Sequence, residues 1–314
     1  LEQHLTACDL CPRDCGVDRT AGRLGFCLSG WDAAVASYCD HHGEEPALSG
    51  TKGSGTIFFG NCSMRCVFCQ NHQISQPGPK QKFQDLKSDE LAGCMLYLQD
   101  VKGCHNINLV SPTHFVPQIV RALTLAAARG LKVPLVYNTN GYDSVEILRL
   151  LHGIIDIYLP DLKYASDEDS VEYSRTPGYV QHARRAIKEM FRQVGALATD
   201  GQGVATRGLI IRHLVLPNGI SGSPESLEWV ASELAPEVTV SLMSQYAPNY
   251  RVDEFPLLSR RISVREYAEA VQTLDDLGMQ NGWVQDHDSS DYYLPDFERE
   301  GHPFEAGATP WNPS

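Results

Sequence analysis

Three cysteines within eight residues, Cys62-Ser63-Met64-Arg65-Cys66-Val67-Phe68-Cys69, are the strongest chemical signal in the chain. Thiolates suit iron-sulfur chemistry, and a tight C-x-x-x-C-x-x-C loop can converge three of them on three irons of one cubane cluster. The fourth iron then lacks a cysteine and is open to a small molecule. The plainer reading of the same spacing is a structural zinc loop or three inert buried thiols.

A second set, Cys8, Cys11, Cys15 and Cys27, places four thiolates in twenty residues. Four ligands can close a tetrahedral zinc site or fill a 4Fe-4S cluster, and the spacing alone does not choose between them. Neither would leave an open position, so this set points to a structural or electron-relay role rather than a catalytic one. Cys39 could replace one of the four, and unliganded thiols are the bland alternative. Cys94 and Cys104 have no partner at ligand spacing and read as small buried hydrophobes.

These residues need a frame to position them. From Thr56 onward, short apolar runs alternate with longer amphipathic ones, the pattern of repeated β-α units around a parallel sheet. Strands are expected at 56–60, 107–110, 134–138, 154–159, 208–215, 238–242 and 283–285. Helices are expected at 88–102, 116–129, 144–151, 180–195, 224–234 and 264–277, with Ser88 and the Ser263/Glu266 pair as starts. Such an α/β chain makes a partial parallel (β/α)6-type barrel, whose active residues belong at the C-terminal ends of the strands. The cysteine loop falls directly after the first of them. A doubly wound sheet is the rival, but no Gly-x-Gly-x-x-Gly follows the first strand. Residues 1–50 read as a cysteine-rich metal-binding extension, 51–286 as the barrel and 287–314 as a tail. The first thirty residues offer little to build a core, so a metal is expected to hold them.

The cysteine loop resembles that of the radical S-adenosylmethionine (SAM) superfamily, as do Gly53-Ser54-Gly55-Thr56-Ile57-Phe58-Phe59-Gly60 before it and Cys69-Gln70-Asn71 at its end. The order of the later motifs resembles the superfamily's pyruvate formate-lyase activating enzyme-like branch. The resemblance implies a 4Fe-4S cluster whose open iron takes the amine and carboxylate of SAM. One electron from the cluster would break the sulfonium S-C5′ bond, and the 5′-deoxyadenosyl radical would abstract a substrate hydrogen. Phe68, just before the last cysteine, would shield the cluster.

The same resemblance implies cofactor contacts further along the chain. Ser111 and Thr113 stand at the second strand end, although Asn108-Leu109-Val110-Ser111-Pro112-Thr113-His114 departs from the family's Gly-Gly-Glu-like stretch. Tyr137-Asn138-Thr139-Asn140-Gly141-Tyr142 resembles the Asp-Thr-Asn-Gly strand end of the glycyl-radical activases, with Asn138 in the aspartate position. An amide oxygen there still accepts a hydrogen bond, without charge assistance; a plain Asn-Gly turn is the alternative. Asp161 and Lys163 match an Asp-x-Lys pattern that contacts ribose and carboxylate, against the alternative of a surface ion pair. Arg212 and His213 point to opposite faces of one strand, so only one of them belongs in the barrel mouth. Gln245 is the polar candidate in the segment 241–246, which resembles the place where adenine packs, and Met243 reads equally as core filling. The run from Trp283 through Pro295 either lines the substrate opening or straps a tail over the open side of the barrel.

The implied substrate is a backbone glycine of a partner glycyl radical enzyme, or else a peptide or small metabolite, with a reductant such as flavodoxin or ferredoxin. A non-catalytic iron-sulfur or zinc module is the reading from a different class; it needs neither an open iron nor polar residues at successive strand ends. Composition narrows the rest. The 314 residues are 42% hydrophobic and 21% charged, which excludes disordered and fibrous classes. A formal net charge of -13 opposes binding to nucleic acid or to an anionic membrane. No apolar run reaches the roughly 18 residues that span a bilayer, since 123–137 is broken by Arg129, Lys132 and Pro134. Clustered cysteines without a visible secretory leader favour a reducing cytoplasm.

Overall fold

The computed structural model describes residues 1–78, 83–287, 289, 294–299 and 302–304. Among the described residues ten strands form one sheet. In chain order they are β1 (Ala33–His41), β2 (Ser54–Phe59), β3 (Gln84–Leu86), β4 (Ile107–Val110), β5 (Leu135–Thr139), β6 (Ile157–Pro160), β7 (Ala198–Thr199), β8 (Ala205–Leu214), β9 (Thr239–Met243) and β10 (Gly282–Val284). Strands β2, β4, β5, β6, β8, β9 and β10 lie side by side in that order and run parallel. The order never reverses, so there is no switch point of the doubly wound kind. Phe58, Val110, Asn138, Asp161, Arg212, Met243 and Trp283, from successive parallel strands or their ends, all line one cavity. The sheet is therefore the wall of a partial barrel, as the sequence pattern implies.

Strand β1 escapes the sequence reading, which has only loop or short strand before residue 56. It pairs antiparallel with β2, from Val35 opposite Phe59 to His41 opposite Ser54, and carries β3 on its other edge. Its run of alanine, serine and small residues has no clean period of two to announce it.

Nine helices accompany the described strands: α1 (Pro46–Ser49), α2 (His72–Ser75), α3 (Ser88–Asp100), α4 (Val116–Ala128), α5 (Val145–Leu150), α6 (Asp167–Ser174), α7 (Tyr179–Val194), α8 (Ser223–Glu233) and α9 (Val264–Asp276). The longer ones cover the outer face. Leu91, Met95 and Leu98 of α3 and Ile119 and Leu123 of α4 pack with Ile107 and Leu109, while Ala183, Ile187 and Met190 of α7 pack with Tyr158, Leu209 and Ile211. Helix α9 starts as its sequence implies, with Ser263 and Glu266 capping each other's backbone N-H groups. Helix α3 is capped one residue earlier than Ser88, because Glu90 takes the N-H of Lys87 at 2.8 Å. Helix α1 does something the sequence did not suggest. Its Ala47 and Leu48 pack inside the barrel against Val136, Ile157 and Ile210 near the starts of the parallel strands, so it stoppers that end.

The first thirty residues hold more core than their sequence suggests. Leu5 and Leu10 are fully buried in the main core, so apolar packing anchors this segment. Among the described residues no helix is long and apolar enough to cross a membrane.

One glycine fixes how two strand ends meet. Gly141, just past β5, has φ +82°, and a Cβ there would lie 2.4 Å from the carbonyl oxygen of Asp161. Gly141→Ala should therefore lower the unfolding free energy by about 1–3 kcal/mol. Gly93→Ala, in the interior of α3 with open space around it, should raise it by roughly 0.5–1 kcal/mol. Urea unfolding of the two variants checks both signs.

Candidate active site

After β2 the chain turns through Gly60 and Asn61, whose φ of +67° is left-handed, and enters the cysteine loop at the C-terminal mouth of the barrel. The loop is held by backbone bonds to distant segments. Arg65 and Val67 donate their N-H groups to the carbonyls of Ser174 and Tyr173 at 3.0 and 2.9 Å, and Arg251 donates to Val67 at 3.0 Å. Each sulfur also has its own partner. Asn140 Nδ2 lies 3.4 Å from Cys62 Sγ, the Ser174 hydroxyl donates to Cys66 Sγ at 3.0 Å, and Ser75 Oγ is 3.1 Å from Cys69 Sγ. Ser75 and Ser174 carry no motif that could have flagged them, and Asn140 stood in a quoted motif only as Asn138's neighbour.

All three cysteines face the cavity, whose volume is about 220 Å³. Across it stands an ion-paired group. Asp161 Oδ2 takes Lys163 Nζ at 2.6 Å and Asp161 Oδ1 takes Arg212 Nε at 2.8 Å. Burial alone would raise the carboxyl of Asp161, but Arg212 and then Lys163 outweigh it and hold it below the usual range. For Lys163, burial favours the neutral amine and Asp161 outweighs it, keeping the ammonium charged. Arg212 Nη2 also donates to Asn138 Oδ1 at 2.6 Å. Gln245 sits at the rim in an amide chain, its Oε1 accepting from Gln285 Nε2 at 3.0 Å. Ser111, Met243 and Phe68 line the same space.

Thr113 does not join them. Its hydroxyl donates to Asp143 Oδ1 at 2.7 Å, within a buried group that includes Tyr137 and Thr139. Ser111 takes a left-handed φ of +58° and the chain then enters a 3-10 turn, Thr113–Phe115, which turns Thr113 away from the cavity. His213 is likewise a core residue, its ring nitrogens 2.7 Å from the Leu162 carbonyl oxygen and 2.9 Å from Ser223 Oγ. Of the run from Trp283 through Pro295, Trp283, Gln285 and Pro295 line the cavity; Asp288 and residues 290–293 lie outside the described residues.

Two of the four N-terminal cysteines meet at one arginine. Arg19, buried, points Nη2 at Cys8 Sγ (3.2 Å) and Cys27 Sγ (3.5 Å), and its Nη1 donates to the His114 carbonyl at 2.6 Å. Cys11 is half-buried and Cys15 exposed. Cys39 is not part of this set, because it packs with Phe58, Ile74 and Val110 on the far side of β2. Cys94 and Cys104 are buried in the core beneath α3 and α4. A clamp joins the set to the cysteine loop: the guanidinium groups of Arg13 and Arg65 lie 3.4 and 4.6 Å from the Phe26 ring centroid. Arg13 donates to the Ser63 carbonyl at 2.5 Å, and Arg65 donates to the carbonyls of Cys62, at 3.0 Å, and Phe26.

The donor chemistry decides which inorganic group suits these positions. Burial pushes the Cys66 thiol up to about 12 and raises that of Cys69, so these thiols give up their protons only to a metal. Among the described residues no three Cys, His, Asp or Glu side chains lie close enough to share one metal ion. A cubane, with one ligand per corner iron, holds its thiolates farther apart than a single zinc with Zn-S bonds of about 2.3 Å. The three-cysteine loop thus fits a cluster with an open corner better than a zinc ion. The opposite wall, carrying both signs of charge, fits a zwitterionic ligand such as SAM.

Comparison with known proteins agrees with this donor set. A family model described as the radical SAM superfamily matches residues 56–201. An uncharacterized protein of Methanocaldococcus jannaschii is 30% identical over 271 residues, covering 84% of this chain and 73% of that protein. Among solved structures, the FeFe-hydrogenase maturase HydG from Carboxydothermus hydrogenoformans is 12% identical with a TM-score of 0.48, over 70% of this chain and 49% of that one. SuiB of Streptococcus suis bound to SAM is 12% identical with a TM-score of 0.47, over 72% and 48%. The chain spans about half the length of these solved structures. The family match opens on β2, the strand that delivers the cysteine loop, and runs on past Asp161 and Lys163: this chain carries a radical SAM superfamily domain.

Proposed function

We propose that this cavity cleaves SAM reductively at a 4Fe-4S cluster held by Cys62, Cys66 and Cys69, and that the resulting 5′-deoxyadenosyl radical takes a hydrogen from a substrate carbon. The observation that carries the reading is the placement of three individually hydrogen-bonded sulfurs across one cavity from the Asp161, Lys163 and Arg212 group. When bound, the cluster supplies the single electron that the chemistry needs. The chain's own residues do the rest. Asn140, Ser174 and Ser75 stabilise negative charge on the three sulfurs. Lys163 is the charged donor for the SAM carboxylate, and ionised Asp161 is the acceptor for ribose hydroxyls. Phe68, packed edge-on against Tyr246 with ring centroids 6.0 Å apart, keeps water from that side.

The order of motifs supports activation of a glycyl radical enzyme, with a one-electron donor such as flavodoxin or ferredoxin. A second reading, modification of a peptide or small metabolite, is favoured by Asn138. Where the activases carry an aspartate, this chain has an amide whose oxygen is already committed to Arg212 at 2.6 Å. At the N-terminus, Cys8, Cys11, Cys15 and Cys27 form a second metal site, zinc or 4Fe-4S. The convergence of Cys8 and Cys27 on Arg19 supports it.

Three outcomes follow. With SAM and dithionite, the wild type should form 5′-deoxyadenosine and the variant with Cys62, Cys66 and Cys69 all replaced by Ala should form none; residual formation would sink the assignment. Lys163→Ala removes a charged hydrogen bond valued at about 1.5–3 kcal/mol, so SAM affinity by equilibrium dialysis should fall about 10- to 150-fold. An unchanged affinity would count against Lys163. Metal analysis of the folded triple-cysteine variant should still find iron, or zinc, at the N-terminal set; finding neither removes the second site.

A further inference from the structure

Two carboxylates in the cavity have no part in the chemistry above. Glu44 and Glu45 belong to the loop between β1 and α1, and both line the same space as the three cysteines. Because α1 stoppers the barrel immediately after them, this loop forms the cavity floor, opposite the cysteine loop at the mouth. Glu45 is 8% exposed, and its Oε2 is buried without a hydrogen-bond partner.

The nearby cation does not satisfy it. Arg212 spends Nε on Asp161 at 2.8 Å and Nη2 on Asn138 at 2.6 Å, and its Nη1 stands 3.8 Å from Glu44. The charge of Arg212 also acts on Glu45, but no hydrogen bond reaches Glu45 Oε2. Lys163 is engaged by Asp161 at 2.6 Å. The cavity is thus lined by three carboxylates, Glu44, Glu45 and Asp161, against two cations, Lys163 and Arg212. His41 at the same floor adds no charge, since burial brings its ring down to about 3. Burial, and then the neighbouring charge of Glu45, pushes Glu44 up to about 7. A carboxylate oxygen left out of water without a hydrogen bond is costly, and a ligand cation that donates to it is what would relieve the cost. Above the floor, Phe58, Val110, Leu214 and Met243 offer an apolar wall, suited to an alkyl chain rather than to a second polar group.

We infer that Glu45, with Glu44 beside it, is the recognition site for an alkylammonium group on the substrate. The substrate would stand with its cationic end at the floor and its alkyl chain along the apolar wall toward the cysteine loop. This assignment rests on the reading of the cavity as a SAM-cleaving site, in which the SAM amine and carboxylate are held at the mouth. A lysine-type side chain of a peptide and a free alkylamine share this chemistry.

The test uses anaerobically reconstituted holoenzyme and three probes: the capped tripeptide Gly-Lys-Gly, its norleucine counterpart, and pentylamine. Calorimetry should show the lysine tripeptide, pentylamine, or both binding at least tenfold tighter than the norleucine tripeptide; the tighter of the two cations identifies the source. Glu45→Gln should abolish the preference, and Glu45→Asp, which keeps the charge, should retain part of it. Equal binding of the lysine and norleucine peptides with no tighter binding of pentylamine would overturn the inference. So would failure of both cations to bind, or a preference that survives Glu45→Gln. Formation of 5′-deoxyadenosine by the same wild-type preparation is scored separately, so a missing preference with cleavage intact removes the floor assignment alone.

Discussion

Asp161 is the charge on which this cavity is organised. Its carboxylate stands just past β6, receives Lys163 from two residues on, and receives Arg212 from the neighbouring strand. Through Arg212 it is joined to Asn138 on β5 and faces Glu44 on the floor loop. Three strand ends and a loop thus meet through one ion-paired group. Burial works against every charge in it, and Asp161, Lys163 and Arg212 stay charged because an opposite charge is within contact of each. Loss of one member would leave the others buried and uncompensated, which is why the effects of substitutions here should not add.

On the opposite wall the order comes from packing and backbone hydrogen bonds. The cysteine loop is tied to Ser174 and Tyr173 at the end of α6, and to Arg251 far along the chain. The Arg13-Phe26-Arg65 clamp ties the same loop to the N-terminal segment. Arg65 lies inside the loop and donates on both sides of the clamp, to Cys62 and to Phe26. The N-terminal segment therefore backs the cysteine loop rather than hanging free as an appendage, even though its elements are short turns.

Much of this was legible in the sequence. Short apolar runs set the parallel strands, and the cysteine spacing set the loop after the first. Strand alternation put Asp161 and Lys163 on one side and separated Arg212 from His213. Residues whose roles depend on distant segments were not legible. Ser174 meets Cys66 across 108 residues of chain and Arg13 meets Ser63 across 50, and no local pattern marks such meetings. Thr113 was misplaced because the resemblance assigned it by its place at the second strand end, and the left-handed turn at Ser111 followed by a 3-10 turn takes it away from the cavity. The floor loop was not legible either, since a four-residue helix such as α1 is too short to show a period.

The central claim is that the three-cysteine loop carries a cluster with one iron open to SAM. Electron paramagnetic resonance of the reduced holoenzyme, with and without SAM labelled with ¹⁵N in its amine, tests it most directly. The account predicts that SAM alters the cluster signal and that the labelled nitrogen couples magnetically to it. A reduced cluster whose signal is indifferent to SAM, with no nitrogen coupling, would contradict it.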